Sequence, residues 1–245
     1  MLLAGARVID EALRMRVPLC TLLVTRDFLT AASPADRAVV SGATRAGAAV
    51  YEGSPAVLEA ASPVHTASGI VAIAEWSPVA ITDTFAPPPA LAIGLVDVQD
   101  PGNVGAVIRS ADALGATGVV TIGDSADPGS WKALRGAMGS TFRLPVARAP
   151  LEEVVAAARR LGLIVIAAVP DAATPLEGLD LSTRALLLLG NEGAGLAASA
   201  VRQADERVTV PMRRGVNSLN VAVTAALILY EARRQRGVSE SPPVK

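Results

Sequence analysis

The 245-residue chain has one cysteine, Cys20, and one histidine, His65. An internal disulfide is therefore impossible, and a Cys/His metal cluster cannot be assembled. Histidine acid/base catalysis would rest on His65 alone. Lysine is almost as scarce. Lys132 and Lys245 are the only two, so all other members of the 22 basic side chains are arginines. Set against 23 acidic side chains they leave a net charge of -1, which excludes a uniformly basic coat for nucleic acid. Any RNA or DNA contact must come from local arginine patches. The longest apolar runs, 163–169 and 185–189, fall far short of the roughly 18 residues of a membrane span. No signal peptide is evident, so no membrane is expected and the cytoplasm is the default location. Chemistry must use Arg, Asn, Ser, Asp, Glu and backbone groups, or a bound cofactor; no metal is expected.

What is present is apolar. Hydrophobic residues make up 51%, which excludes disorder for most of the chain. Over residues 1–76 helices and strands alternate. Ala6–Arg14 carries Val8, Ile9, Ala12 and Leu13 on a helical stripe. Residues 19–24 form a strand in which Cys20 is read as buried rather than as a nucleophile. Ser33-Pro34-Ala35-Asp36 caps a helix running to about Ala46. Strands follow at 48–51 and 69–74, a short helix starts at Ser54-Pro55, and His65 falls in a solvated loop. Residues 77–90, with Pro78, Pro87, Pro88 and Pro89, read as a stiff extended linker. They separate a small α/β domain, 1–76, from a larger one, 91–238, with a polar tail at 239–245. In the larger part, strands at 91–98, 119–122, 144–147, 163–169, 185–189 and 207–210 alternate with helices at 103–114, 130–138, 151–161 and 219–236. Continuous apolar strands between helices predict a parallel sheet covered on both faces.

Three segments of this part share one design, an apolar strand running into a turn of Gly, Asn and Pro. They are Val96-Asp97-Val98-Gln99-Asp100-Pro101-Gly102-Asn103, Leu189-Gly190-Asn191-Glu192-Gly193-Ala194-Gly195, and Val210-Pro211-Met212 leading to Asn217-Ser218-Leu219-Asn220. Open α/β sheets bind ligands beyond the carboxyl ends of their strands, where glycine lets the backbone approach. Any one of these turns is ordinary loop chemistry. Three in the same half of the chain point to a cofactor pocket lined mainly by backbone. Neither standard phosphate cradle fits it. Residues 190–195 have the order G-x-x-G-x-G rather than G-x-G-x-x-G, and no Gly-Lys pair exists for a P-loop.

The run from Asp100-Pro101-Gly102-Asn103 through Arg109 to Asp112 closely resembles the first motif of the SpoU/TrmH-type RNA ribose methyltransferases. Residues 189–196 resemble their second motif. Val210-Pro211-Met212 with Ser218-Leu219-Asn220-Val221-Ala222-Val223 resembles their third. The motifs occur in order across residues 91–236. Residues 5–13 are similar to the family's RNA-binding domain. Met1-Leu2-Leu3-Ala4 stands where the family has a basic segment leading into a strand, and Arg7, Arg14, Arg16 and Arg26 are candidates for a compensating patch.

The resemblance implies a parallel-sheet methyltransferase domain with a C-terminal trefoil knot, preceded by a small α/β RNA-binding domain. It implies S-adenosylmethionine as cofactor and a ribose 2′-hydroxyl in RNA as acceptor. By analogy with the two-domain layout that RNA is ribosomal rather than transfer RNA. It also implies a homodimer, to which the almost wholly apolar first half of the last helix is suited. The rival is a non-catalytic RNA-binding protein on the same fold, against which the intact motifs argue. Carried onto this sequence, the resemblance puts Leu189, Gly190, Asn191, Gly193, Val210, Met212 and Leu219 at the cofactor. It puts Asn103, Arg109, Glu192, Ser218 and Asn220 at the reacting groups. Methyl transfer to a hydroxyl needs in-line alignment and removal of a proton, and neither metal nor histidine. Arg109 is either the base or a clamp on the neighbouring phosphate. A guanidinium essentially never loses its proton, which favours the clamp. Plainer readings stand beside these: Arg109 as a surface partner of Asp112, Glu192 as an acid at a helix N-terminus, Asn103 and Ser218 as N-caps. Asn220, placed one turn inside the last helix, has the weakest plain reading.

Overall fold

The computed structural model describes residues 1–61, 69–216 and 218–237. His65, Asn217 and the expected tail at 239–245 lie outside the described residues.

The first sheet has the order β1-β4-β2-β3, from β1 (Leu2–Ala4), β2 (Leu19–Thr25), β3 (Ala49–Gly53) and β4 (Ile70–Ala74). β2 and β3 are parallel, while β4 runs antiparallel to both β1 and β2. α1 (Ala6–Arg14) and α3 (Pro34–Arg45) bury Ile9, Ala12, Val39 and Ala43 against Leu3, Leu22 and Val24. Two shorter helices, α2 (Arg26–Ala31) and α4 (Pro55–Ala61), complete this part. α3 opens as its sequence predicts: the Ser33 hydroxyl accepts from the Asp36 N–H and the Asp36 carboxylate accepts from the Ser33 N–H. Cys20 is exposed, contrary to expectation. The β2–β4 register shifts between Leu19 and Thr21, and the Cys20 thiol meets Glu75 Oε1 at 3.7 Å.

The second sheet is wholly parallel, in the order β10-β8-β9-β5-β6-β7. Its strands are β5 (Leu91–Val96), β6 (Gly118–Ile122), β7 (Val146–Arg148), β8 (Ile164–Ala168), β9 (Ala185–Leu189) and β10 (Glu206–Val208). Side chains alternate across the sheet, so each strand serves two cores. Leu91, Ile93 and Leu95 of β5 share one with α5 (Pro101–Leu114) and α9 (Val221–Gln235). Ala92 and Val96 share the other with α7 (Leu151–Arg160). Between β9 and β10 lies the short α8 (Ala198–Arg202).

α6 (Trp131–Ala137) crosses α5 at Gly105, where a Cβ would lie 2.1 Å from the Ala133 carbonyl oxygen. Only glycine admits that approach. α6 also sends Leu134 into the core of the first sheet, so it joins the two parts. Arg143 fastens the same junction, 2.9 Å from Glu11 and 2.8 Å from Asp112. Asp112 is thus paired with Arg143, and the plain Arg109–Asp112 pair is not formed.

Residues 77–90 are no extended strap. Ile81–Phe85 forms a 3-10 turn with Thr84 and Phe85 buried. Ile81 and Phe85 pack into the core that α7 covers, two apolar anchors that a proline count does not reveal. The far end of this segment is tied to the end of α9. Arg236 donates to the carbonyls of Pro89 at 2.7 Å, Ala90 at 3.3 Å, Leu181 at 2.8 Å and Thr183 at 2.5 Å. Burial pushes its pKa down, yet a guanidinium remains charged. Beside it Gln235 donates to Leu179 O and accepts from the Leu181 N–H. Hydrogen bonds from Arg234 and then Gln235 hold Glu231 at a pKa of about 2. Because charged donors are the strong ones, Arg236→Ala is expected to cost about 2–3 kcal/mol of stability. Arg236→Lys should recover only part, since one ammonium cannot span four carbonyls. Urea titration checks this, and an unchanged midpoint in Arg236→Ala would refute the clamp.

Candidate active site

A cavity of about 640 Å³ opens at the carboxyl ends of β8, β9 and β10. The sheet reverses its winding beside it, between β9 and β5. From β5 the chain proceeds to β6 and β7 on one side, whereas from β9 it runs past β8 to β10 on the other. Such switch points are where open α/β sheets hold ligands. Leu189, Gly190, Asn191 and Gly193 line the cavity from the turn after β9, and Val210, Met212 and Leu219 line it from the segment after β10. Glu192 and Ser218 also line it.

Gly190 is required by the turn itself. A Cβ there would lie 2.3 Å from the Gly195 carbonyl carbon and 2.4 Å from the Leu196 nitrogen. Asn191 shapes the same turn. Its Oδ1 accepts from the Gly193 and Ala194 N–H groups at 2.8 and 3.1 Å. Its Nδ2 donates to the Asp97 carbonyl at 2.9 Å, which ties the turn to the end of β5.

The polar residues are joined in a way that overturns three plain readings. Asn103 is not an N-cap. α5 starts two residues earlier at Pro101, and Asp100 caps it by accepting from the Gly102 N–H at 2.7 Å. This is the same cap-then-proline signal as Ser33-Pro34. Asn103 instead bridges: its Nδ2 donates to Glu192 Oε1 at 2.5 Å, and its Oδ1 accepts from Asn220 Nδ2 at 3.0 Å. Asn220 does not lie inside α9 but caps it, Oδ1 accepting from the Ala222 and Val223 N–H groups. Ser218 is therefore not the cap. Glu192 stands at no helix start, since α8 begins at Ala198.

Arg109 lies apart. It is exposed, six residues beyond Asn103 on α5, or about 9 Å along the axis. It does not line the cavity, and its side chain has no partner among the described residues. The structure adds lining residues that the sequence reading passed over: Pro170 and Asp171 after β8, and Arg202 and Arg207. The first two follow an apolar strand just as the other turns do, so the same rule finds them. The two arginines carry no local signal, since the packing of α8 and β10 brings them there. Among the described residues no group of three or more His, Cys, Asp or Glu is placed to hold a metal.

The result is a cavity at the strand ends, with a carboxylate held at its rim by an amide relay. A family model, that of the SpoU rRNA Methylase family, matches residues 90–230. The chain belongs to this family. Over 140 residues this SpoU-family chain is 40% identical to the 23S rRNA (guanosine(2553)-2′-O)-methyltransferase RlmP of Bacillus subtilis, which covers 57% of the chain and 56% of that relative. Over 142 residues it is 41% identical to the 23S rRNA (uridine(2479)-2′-O)-methyltransferase of Streptomyces viridochromogenes, covering 56% and 50%. The match thus spans about half the length of these curated relatives. The crystal structure of the SpoU methyltransferase AviRb from Streptomyces viridochromogenes in complex with AdoMet matches with a TM-score of 0.87 and 30% identity. It covers 98% of the SpoU-family chain and 91% of its own, so both sheets take part in the likeness.

Proposed function

We propose that the chain is an S-adenosylmethionine-dependent methyltransferase acting on a ribose 2′-hydroxyl of ribosomal RNA, in the cytoplasm. The observation that carries this is the relay Asn220–Asn103–Glu192. It joins side chains up to 117 residues apart at the rim of a cavity at the strand ends. The cavity volume of about 640 Å³ suits a nucleoside-sized ligand. Main-chain groups at Gly190, Val210 and Leu219 are available to an adenosine, and Arg202 and Arg207 to a carboxylate. The names of the two relatives, both acting on 23S rRNA, favour ribosomal over transfer RNA.

When bound, S-adenosylmethionine supplies an electrophilic methyl on a positively charged sulfur. The chain's own residues do the rest. Asn103 fixes Glu192 Oε1 and leaves Oε2 without a partner among the described residues, free to orient the ribose hydroxyl and take its proton as the new C–O bond makes it acidic. Asn220 holds Asn103 to that task. Arg109, exposed and unpaired, clamps an adjacent phosphate. The test is transfer of label from S-adenosylmethionine to 23S rRNA and to tRNA, with the 2′-O-methyl position mapped. RNA binding without transfer would favour the non-catalytic reading.

Membership of the SpoU family supports a C-terminal trefoil knot, and the return of the chain from edge strand β10 to α9 against α5 leaves room for it. A homodimer is supported by an apolar stripe on α9. Val223, Leu227 and Tyr230, spaced four and three apart, are 48%, 40% and 64% exposed. Leu227→Glu is expected to convert a dimer to a monomer at micromolar concentration. Sedimentation equilibrium decides, and an unaltered protein that is already monomeric would refute the stripe as an interface.

A further inference from the structure

A second cavity, of about 330 Å³, lies between β1 and α1 of the first part and α6 of the second. Its apolar wall includes Val8, Trp131 and Met138. Met138 is 38% exposed and holds a left-handed backbone, φ 51, that non-glycine residues adopt at a cost. The unpaired charges that line it have one sign. Arg7 and Arg135 line the cleft, are exposed, and have no partner among the described residues. Lys132, one of only two lysines in the chain, has its Nζ 5.6 Å from the Trp131 ring centroid. The one carboxylate in the lining, Glu11, is paired at 2.9 Å with Arg143, which it shares with Asp112. Of the other arginines expected to form a basic patch, Arg14 is paired with Asp10 at 2.6 Å and Arg26 with Glu52 at 2.8 Å, and Arg16 is exposed but does not line the cleft.

An aromatic ring among unpaired cations in a cleft is the chemistry that takes an unstacked base together with its phosphates. The cleft is also near the relay. α6 lies against the first turn of α5, where a Cβ on Gly136 would be 3.0 Å from the Gly102 carbonyl oxygen, and Asn103 follows Gly102. We propose that the cleft between β1–α1 and α6 receives one unpaired nucleotide of the RNA substrate, its base on Trp131 and Met138 and its phosphates among Arg7, Lys132 and Arg135. The proposal rests on the RNA methyltransferase reading and names where that substrate docks.

The experiment titrates the full chain with a short single-stranded uridine RNA and with an abasic strand of equal length, following tryptophan emission. The uridine strand should quench emission and bind about tenfold more tightly than the abasic strand. Trp131→Phe should abolish the quench yet keep most of the affinity, because a phenyl ring still stacks. The double variant Arg7→Glu/Arg135→Glu, both on the surface, should weaken both strands by about tenfold or more at low salt. Calorimetry should show its affinity for S-adenosylmethionine unchanged. Equal affinity for the two strands would overturn the base pocket, and undiminished binding by the double variant would overturn the phosphate contacts. Conversion of a dimer to a monomer by that variant would assign the cleft to a second copy of the chain and overturn the proposal. Failure of the unaltered protein to bind S-adenosylmethionine would count against the methyltransferase reading instead, and the strand preference is read without that cofactor.

Discussion

Gly190→Ala is expected to weaken S-adenosylmethionine binding by about a hundredfold. A single methyl suffices because the obstacle is fixed main chain, not a side chain that can rotate. The new Cβ would sit 2.3 Å from the Gly195 carbonyl carbon and 2.4 Å from its oxygen. Those atoms close the turn, with Asn191 N–H donating to Gly195 O at 3.2 Å and Gly195 N–H donating to Asn191 O at 2.9 Å. Relief therefore requires the turn to open. Opening it frees Asn191, whose amide ties the turn to Asp97, and moves Glu192 away from Asn103. Overpacking strain of about 3 kcal/mol corresponds to a loss of roughly that size. Gly193→Ala is the control for the apo fold: its Cβ would meet only Asn191 Oδ1, at an ordinary 3.5 Å. Isothermal calorimetry and thermal denaturation of the apo proteins check both. Gly190→Ala should lower the apo midpoint and Gly193→Ala should leave it. A folded Gly190→Ala protein with unchanged affinity would show that the turn does not hold the cofactor.

Arg109→Ala should slow single-turnover methyl transfer by about 2–4 kcal/mol in the barrier, roughly 30- to 1000-fold, the range for removing a preorganised charged donor. Cofactor affinity should stay as it was, because Arg109 does not line the cavity. The exposed, unpaired position on α5 suits a clamp that closes on RNA. Lysine then retains the charge and loses the two-pronged geometry, so Arg109→Lys should keep partial activity with its pH profile in place. Were Arg109 the base, lysine would work well and move the profile to lower pH. Rates for the three proteins across pH separate these outcomes. A shifted profile at near-normal rate would defeat the clamp, and full activity in Arg109→Ala would defeat both roles.

Local pattern determined much of this protein. Apolar runs such as 185–189 between helical stretches specify a parallel sheet with two covered faces, because a strand with no polar side has no other stable surroundings. Ser33 and Asp36 specify the start of α3, since both partners of the cap lie within one turn. The glycine and asparagine turns after β9 and β10 specify where the cavity forms, whereas the turn after β5 does not line it. Tertiary structure alone decided the polar bonds between residues far apart in the chain. Asn103 and Asn220 both have the chemistry of an N-cap. Asn220 caps and Asn103 does not, because Asp100-Pro101 starts α5 two residues earlier. That Asn103 bonds Glu192 and Asn220, 89 and 117 residues away, is decided only by the packed sheet. Asp112 stands three residues from Arg109 yet pairs with Arg143, 31 residues away. Cys20 faces outward on a register shift set by its neighbour β4. Helix and strand follow from backbone preferences and apolar spacing read within a few residues. A side-chain hydrogen bond follows from which groups the packed sheet brings within about 3 Å, and no local pattern encodes that distance.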